Sequence, residues 1–150
     1  MDETIKCLTI KQPWASLIMM GLKDREIRTQ KTHIRGLIAI HTSKTPDVEM
    51  MKTSGLNSEA FINGCIIGIA KIRDCIQLSW QKEEGQWSWL ITPVCLFKKP
   101  IPYSGNLGMW DLNLEVIKEE LNLRQDINKI IIQHQKSHIK DGAEDLAHLE

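Results

Sequence analysis

The apolar and polar positions of the first 28 residues predict a strand, a short helix and a second strand. Cys7 to Ile10 alternates apolar and polar side chains, the period of a half-buried strand. Pro13 suits the first turn of a helix because it has no backbone N–H to leave unpaired. Gly21 is expected to end that helix, since glycine adopts the left-handed cap conformation at little cost. The apolar positions that predict the buried face of the helix are Trp14, Leu17, Ile18 and Leu22.

The charged segment after Gly21 is the first candidate for chemistry. In an extended chain Glu26 and Arg28 share one face, because alternate residues of a strand point the same way. Lys23 then stands at the entrance of that segment. On the residues alone, two interpretations stay open. One is a surface strand whose ion pairs contribute little to stability, and the other is a charged binding cleft.

The remainder of the chain predicts an α+β fold built on short strands. Few helices and several Gly/Pro turns favour a small mixed β-barrel with flanking helices. After residue 112 the period changes to that of helices, which predicts a domain over 1–112 and a C-terminal helical extension over 113–150, either packed on the barrel or trailing from it. The further predicted strands are Gly36–His41, 64–76, 87–91, 94–97 and 109–112, and the further predicted helices lie near 48–52, 58–62, 114–123 and 127–138.

Composition excludes several classes of protein. The chain has 150 residues, enough for one domain with one core. No apolar run approaches the roughly 20 residues of a membrane span, and no signal peptide is evident. We therefore expect a cytoplasmic protein without a membrane partner. The four cysteines form no Cys-x-x-Cys pair, so we expect buried, reduced thiols.

No cofactor or metal is expected either. His134 and His138 have the spacing of metal ligands on a helix, but no third ligand lies near them in sequence. A glycine-rich phosphate loop and a Ser/His/Asp pattern of known spacing are both missing.

The net charge of zero conceals an asymmetry along the chain. Residues 1–45 hold eight Lys or Arg and four Asp or Glu, a balance of +4. Residues 46–110 hold six of each, and residues 111–150 hold five against nine, a balance of −4. The opening segment can therefore face an anion although the whole protein is neutral.

Several side chains have both a structural and a functional interpretation. Trp14 fits the core or a stacking platform, and Trp87 and Trp89, which share a strand face, fit a pocket wall or internal packing. His41 ends a predicted strand, where a structural role is commoner than a catalytic one. The polar residues Lys11 and Gln12 lie at a strand–helix junction, where ligand sites often form.

Several segments together resemble the ASCH domain family. That family opens with a strand and Gln-Pro-Trp-Ala, followed by Gly-x-Lys-x-x-Glu-x-Arg. Here the corresponding segments are Leu8–Ala15 and Gly21–Arg28. Gly36–Ser43 resembles the next strand, and Trp89–Ile91 with Pro100–Trp110 resembles the closing part. The similarity extends over about residues 5 to 112.

The resemblance implies a PUA-like β-barrel with a cleft beside the first helix. It favours the cleft interpretation of Lys23, Glu26 and Arg28, with single-stranded RNA or a modified nucleoside as the ligand. Cations contact phosphate, aromatic rings stack on a splayed base, and amides or carboxylates read its edge. The expected ligand-binding residues are Lys11, Gln12, Trp14, Lys23, Glu26, Arg28, His41, Ser43, Lys44, Trp89 and Tyr103.

Two other functions remain open. The family includes small enzymes that hydrolyse acetylcytidine with the Lys of Gly-x-Lys, a Thr three residues later and a distant Glu. Lys23 matches that lysine, but Glu26 stands at the threonine position, so the triad is not reproduced. A hydrolase, an amidohydrolase or a ribonuclease, would use Lys23 and Glu26 for catalysis. A scaffold that binds partners through residues 114–132 is the third interpretation.

Overall fold

A mixed sheet of six strands forms the body of the part of the chain that the structure describes. The computed structural model describes residues 3–78 and 85–123. The strands are β1 (Thr4–Ile10), β2 (Arg25–Arg28), β3 (Gly36–Thr42), β4 (Cys65–Gln77), β5 (Trp87–Pro102) and β6 (Met109–Asn113). Their order across the sheet is β2-β5-β4-β3-β1-β6. β1 and β3 are parallel, whereas the other neighbours pair antiparallel.

The first helix begins and ends where the sequence predicts. α1 (Trp14–Met19) follows Pro13 at its N-cap, and Gly21 beyond its end has φ +76°. The predicted apolar face is wrong at Leu22, which is 70% exposed because the helix ends before it. The face that packs on the core consists of Ala15, Ile18 and Met19.

The second helix is defined by its two ends. α2 (Val48–Ser54) begins after Asp47, whose carboxylate accepts the amide of Met50 at 3.1 Å. It ends at Gly55, which adopts the left-handed conformation at φ +69°. A 3-10 turn over Ser58–Ala60 follows. Side-chain capping and a glycine stop explain why so short a helix forms here.

Strand β5 is longer than predicted, whereas β4 has the predicted length of 13 residues. β5 is continuous over the two predicted strands 87–91 and 94–97, because Pro93 falls at a shift in register rather than at a break. Gly68 of β4 lies at a close approach of two strand backbones. A Cβ on Gly68 would collide with the carbonyl oxygen of Cys95 on β5.

The sheet curls, but the predicted barrel is not confirmed. A side-chain nitrogen of Arg28 on β2 donates to the carbonyl oxygen of Thr9 on β1 at 2.6 Å, although three strands separate β2 from β1 in the sheet. Within the described residues, however, the two edge strands β2 and β6 do not pair with each other. The α+β class is confirmed, and closure of the barrel remains a prediction.

The start of the C-terminal region packs against the sheet. A 3-10 turn (Leu114–Ile117) leads into α3 (Lys118–Asn122). Ile117 and Leu121 are buried in one core cluster with Trp110 and Leu112. The predicted second helix over 127–138, with His134 and His138, lies outside the described residues, and the division at residue 112 remains a prediction.

The prediction that the cysteines are buried is confirmed. All four lie in the core, and burial raises the pKa of the Cys7 thiol. No helix among residues 3–78 and 85–123 has both the length and the apolar character that crossing a bilayer requires.

Candidate functional site

The charged segment and the first helix together line a cleft of about 570 Å³. We call it the Trp14 cleft. β1 ends at one side of it, α1 and Lys23 stand at another, and β2 supplies the charged wall. Its lining residues are Thr9, Lys11, Trp14, Lys23, Glu26, Ile27, Arg28, Ser43, Asp47, Leu107 and Gly108.

Glu26 and Arg28 form a fixed ion pair in this wall. Both Nε and Nη2 of Arg28 donate to Glu26 Oε2, at 3.0 and 2.8 Å. Arg28 Nη2 also donates to the carbonyl oxygen of Thr9, which ties the pair to β1. Both donors converge on one carboxylate oxygen. The other oxygen, Glu26 Oε1, and the other terminal nitrogen, Arg28 Nη1, make no hydrogen bond within the described residues. The pair therefore presents one acceptor and one donor to a ligand.

Trp14 is held as a partly buried ring at the other side of the cleft. Its Nε1 donates to Asp47 Oδ2 at 3.0 Å. This hydrogen bond, followed by that from the Met50 amide, lowers the pKa of the Asp47 carboxyl. The ammonium nitrogen of Lys23 lies 4.2 Å from the Trp14 ring centroid, a cation–π contact. An aromatic face and a cation thus line the same cleft as the Glu26–Arg28 pair.

A second cavity of about 480 Å³ adjoins the first. We call it the Tyr103 cavity. It shares Thr9, Ser43 and Leu107 with the Trp14 cleft. Its other lining residues are His41, Lys44, Gly64, Tyr103, Ser104, Gly105 and Asn106.

The Thr9 hydroxyl connects the two cavities to the core. It donates to the carbonyl oxygen of Asn106 at 2.6 Å and accepts from Trp110 Nε1 at 2.9 Å. His41 Nδ1 lies 3.1 Å from the same oxygen. The Thr9 amide donates to the Gly108 carbonyl at 2.9 Å, so β1 holds the loop 104–108 at two points.

His41 is a structural part of this network. Its Nε2 lies 2.7 Å from the carbonyl oxygen of Tyr103, which can only accept, so neutral His41 carries its proton on Nε2. Desolvation by burial lowers the pKa of His41, and the hydrogen bond to Tyr103 opposes that shift. Because the one Thr9 hydroxyl proton is donated to Asn106, His41 Nδ1 contacts Thr9 without a hydrogen bond, and His41 holds the Tyr103 cavity through its hydrogen bond to the Tyr103 carbonyl.

Most of the predicted ligand-binding residues line one of the two cavities. Lys11, Trp14, Lys23, Glu26 and Arg28 line the Trp14 cleft. His41, Lys44 and Tyr103 line the Tyr103 cavity, and Ser43 lines both.

Two predicted residues lie elsewhere. Gln12 is fully buried and donates to the Ser16 hydroxyl and the Ile62 carbonyl, so it positions the start of α1. Trp89 is 5% exposed and its Nε1 donates to the Gln30 carbonyl. The guanidinium carbon of Arg28 lies 5.9 Å from its ring centroid, so Trp89 supports Arg28 from the core.

Four lining residues were not predicted from the sequence: Thr9, Asp47, Asn106 and Leu107. For Asp47, a carboxylate a few residues after the predicted site residues Ser43 and Lys44 was a usable signal. No local pattern relates Thr9 to Asn106, because the two meet only through the pairing of β1 with β6. Within the described residues, no group of three or more His, Cys, Asp or Glu side chains is placed to hold a metal ion.

The chain is similar to a family model and to a human protein. The model of the ASCH domain family matches residues 8–133. Activating signal cointegrator 1 of Homo sapiens is 34% identical over 90 residues. That alignment covers 52% of this chain and 16% of the human protein, so the similarity concerns a small part of that relative.

Proposed function

The chain belongs to the ASCH domain family, and from that premise we propose that the Trp14 cleft binds single-stranded RNA, or a modified nucleoside within it. The observation that carries the proposal is the presence, within one cleft, of a fixed tryptophan ring and a partly buried Glu26–Arg28 pair. An aromatic face and a hydrogen-bonding edge are the two elements that recognise an unstacked base.

The geometry suggests how a base would be held. The Trp14 ring supplies a stacking surface, and Lys23 moves off that surface to contact a phosphate or the ligand. Glu26 Oε1 would accept from an exocyclic amino group, while Arg28 Nη1 would donate to a ring nitrogen or carbonyl. The curl that brings Arg28 against Thr9 supports a PUA-like arrangement of the sheet.

The charges predict moderate, salt-dependent affinity. The cations Lys11, Lys23 and Arg28 in the lining exceed the two carboxylates by one. Each phosphate contact that releases counterions from a single strand contributes about 0.7 to the slope of log affinity against log salt. A site with so few cations should therefore bind RNA with a shallow salt slope.

Fluorescence anisotropy with a labelled single-stranded RNA tests this proposal. Lys23→Ala should weaken binding and reduce the salt slope by about 0.7. Lys52→Ala is the matched control, because Lys52 is exposed on α2 and lines neither cavity. Absence of RNA binding by the wild-type protein at low salt, or equal effects of the two substitutions, would contradict the proposal.

A hydrolase is the second candidate, because Lys23 and Glu26 line the same cleft. Catalysis would need one of them to move a proton or attack the substrate. Mass spectrometry after incubation with acylated cytidines and with short RNAs distinguishes the two functions. Product that disappears with Lys23→Ala, while ligand binding survives, would identify an enzyme. Binding without product leaves the binding function standing.

A further inference from the structure

We infer that the natural ligand is a strand of at least two nucleotides, with one base in the Trp14 cleft and the next nucleotide over the Tyr103 cavity. The inference rests on the proposed function and narrows it, since it excludes a free nucleoside as the main ligand. It uses the second cavity, to which the proposed function assigns no part.

The two cavities are continuous. Thr9, Ser43 and Leu107 line both of them. Thr9 is anchored by its bonds to buried Trp110 and to the Asn106 carbonyl of the loop, so its part of the shared boundary is fixed. A ligand that leaves the Trp14 cleft across the boundary enters the Tyr103 cavity directly.

The volumes of the two cavities also favour two nucleotides. Small-molecule sites usually have volumes of about 300–1,000 Å³. The cavities of about 570 and 480 Å³ each fall within that range. A single nucleoside therefore leaves one of them empty, whereas two consecutive nucleotides occupy both.

The charged side chains differ between the two cavities. Both carboxylates near the site, Glu26 and Asp47, line the Trp14 cleft. Among the described residues that line the Tyr103 cavity none is acidic, and Lys44 is the one lysine or arginine. The hydroxyls of Ser43 and Ser104 lie in the same lining. A phosphate is therefore better accommodated beside Lys44 than beside Glu26, whose carboxylate suits a base edge.

Tyr103 supplies a second aromatic surface. The rings of Tyr103 and Trp110 are parallel within 3°, with centroids 5.6 Å apart. Because Trp110 occupies one face of Tyr103, a base that stacks on Tyr103 uses the other face. The exposed side chain of Leu107, 91% accessible on the boundary, adds an apolar contact between the two stacking positions.

The test compares ligands of increasing length on the full chain. Cytidine 5′-monophosphate, the dinucleotide CpC and a cytidine tetranucleotide would be titrated by calorimetry, with the uridine series in parallel. The dinucleotide should bind at least about fivefold more tightly than the mononucleotide, because a second stacked base contributes on that scale. Lys44→Ala should reduce this gain, because it removes the cation beside the linking phosphate, and Lys52→Ala should leave the gain unchanged.

The outcomes separate the inference from the proposed function. Equal affinity for mononucleotide and tetranucleotide, with Lys44→Ala silent, would overturn the inference while the proposed function stands. A length-dependent gain that Lys44→Ala leaves intact would also overturn it, because the strand would then follow another path. Binding of no ligand in either series would overturn the proposed function itself. Lys44 is exposed, so the substitution should leave folding intact.

Discussion

Replacement of Thr9 by valine should lower the free energy of unfolding by about 2–4 kcal/mol. Valine keeps the β-branched shape of threonine, so the strand and its packing are preserved. The change removes the oxygen that accepts from Trp110 Nε1, donates to the Asn106 carbonyl and contacts His41 Nδ1. The carbonyl oxygen of Thr9, which binds Arg28, remains in place.

The magnitude follows from the fate of each partner. The Trp110 indole N–H is buried and left without an acceptor, which costs about 1–3 kcal/mol. Asn106 is exposed, so its carbonyl can turn to water and only the net value of one hydrogen bond, about 0.5–1.5 kcal/mol, is lost. The contact with His41 adds nothing to this total, because the one hydroxyl proton of Thr9 is donated to Asn106, and the extra apolar methyl group offsets part of the loss.

Urea unfolding followed by tryptophan fluorescence measures the effect, with Thr53→Val as the matched control. Thr53 is exposed and its hydroxyl donates to the Glu49 carbonyl of its own helix. The control should change stability by no more than about 0.5 kcal/mol. A loss below about 1 kcal/mol for Thr9→Val, at an unchanged denaturant slope, would refute the argument that this hydroxyl organises the loop 104–108.

Two further predictions concern the same network. Because burial lowers the pKa of His41 in the folded chain below its ordinary value of 6.5, the folded state binds fewer protons than the unfolded chain in acid. The contribution of neutral His41 to the stability of the folded state is therefore complete above pH 6.5 and is lost as the pH falls below that value. The free energy of unfolding, measured from pH 8 to pH 5, should show this loss in the wild type and in the exposed control His33→Gln. The loss should be smaller in His41→Gln. Identical pH profiles for all three proteins would contradict this prediction. Gly105→Ala should cost about 1–3 kcal/mol, because the new Cβ would lie 2.7 Å from His41 Cε1 and 2.8 Å from Trp110 Cζ2. Ser104→Ala, at an exposed neighbouring position, should be nearly neutral in thermal unfolding, and similar melting temperatures for the two variants would show that the loop yields freely.

Local patterns in the sequence predicted much of the candidate site. The alternation over residues 23–28 placed Glu26 and Arg28 on one face, and the structure shows them as an ion pair at 2.8 Å. The helix stop at Gly21 was also predicted, because a left-handed residue after a helix favours glycine. These predictions succeed because strand and helix periods act over a few residues.

The sequence predicted less accurately which side chains face the candidate site. Trp89 was expected in the ligand site and lies in the core, because its strand face turns inward beneath Arg28. Gln12 was expected to contact ligand and instead holds the start of α1. Residue type and spacing say that such a side chain has a partner, but not whether that partner is solvent, ligand or protein.

The sequence by itself determined the strand–helix–strand opening, the buried cysteines and the charges that face the cleft. The tertiary structure decided which distant segments meet. Trp14 lies against Asp47, 33 positions away, and Thr9 contacts Asn106 and Trp110, about a hundred positions away. Those contacts depend on strand order, register and the curl of the sheet, which arise from the packing of the whole core. The Tyr103 cavity exists for the same reason, because β3, the end of β5 and the loop 104–108 form it only after the sheet has assembled.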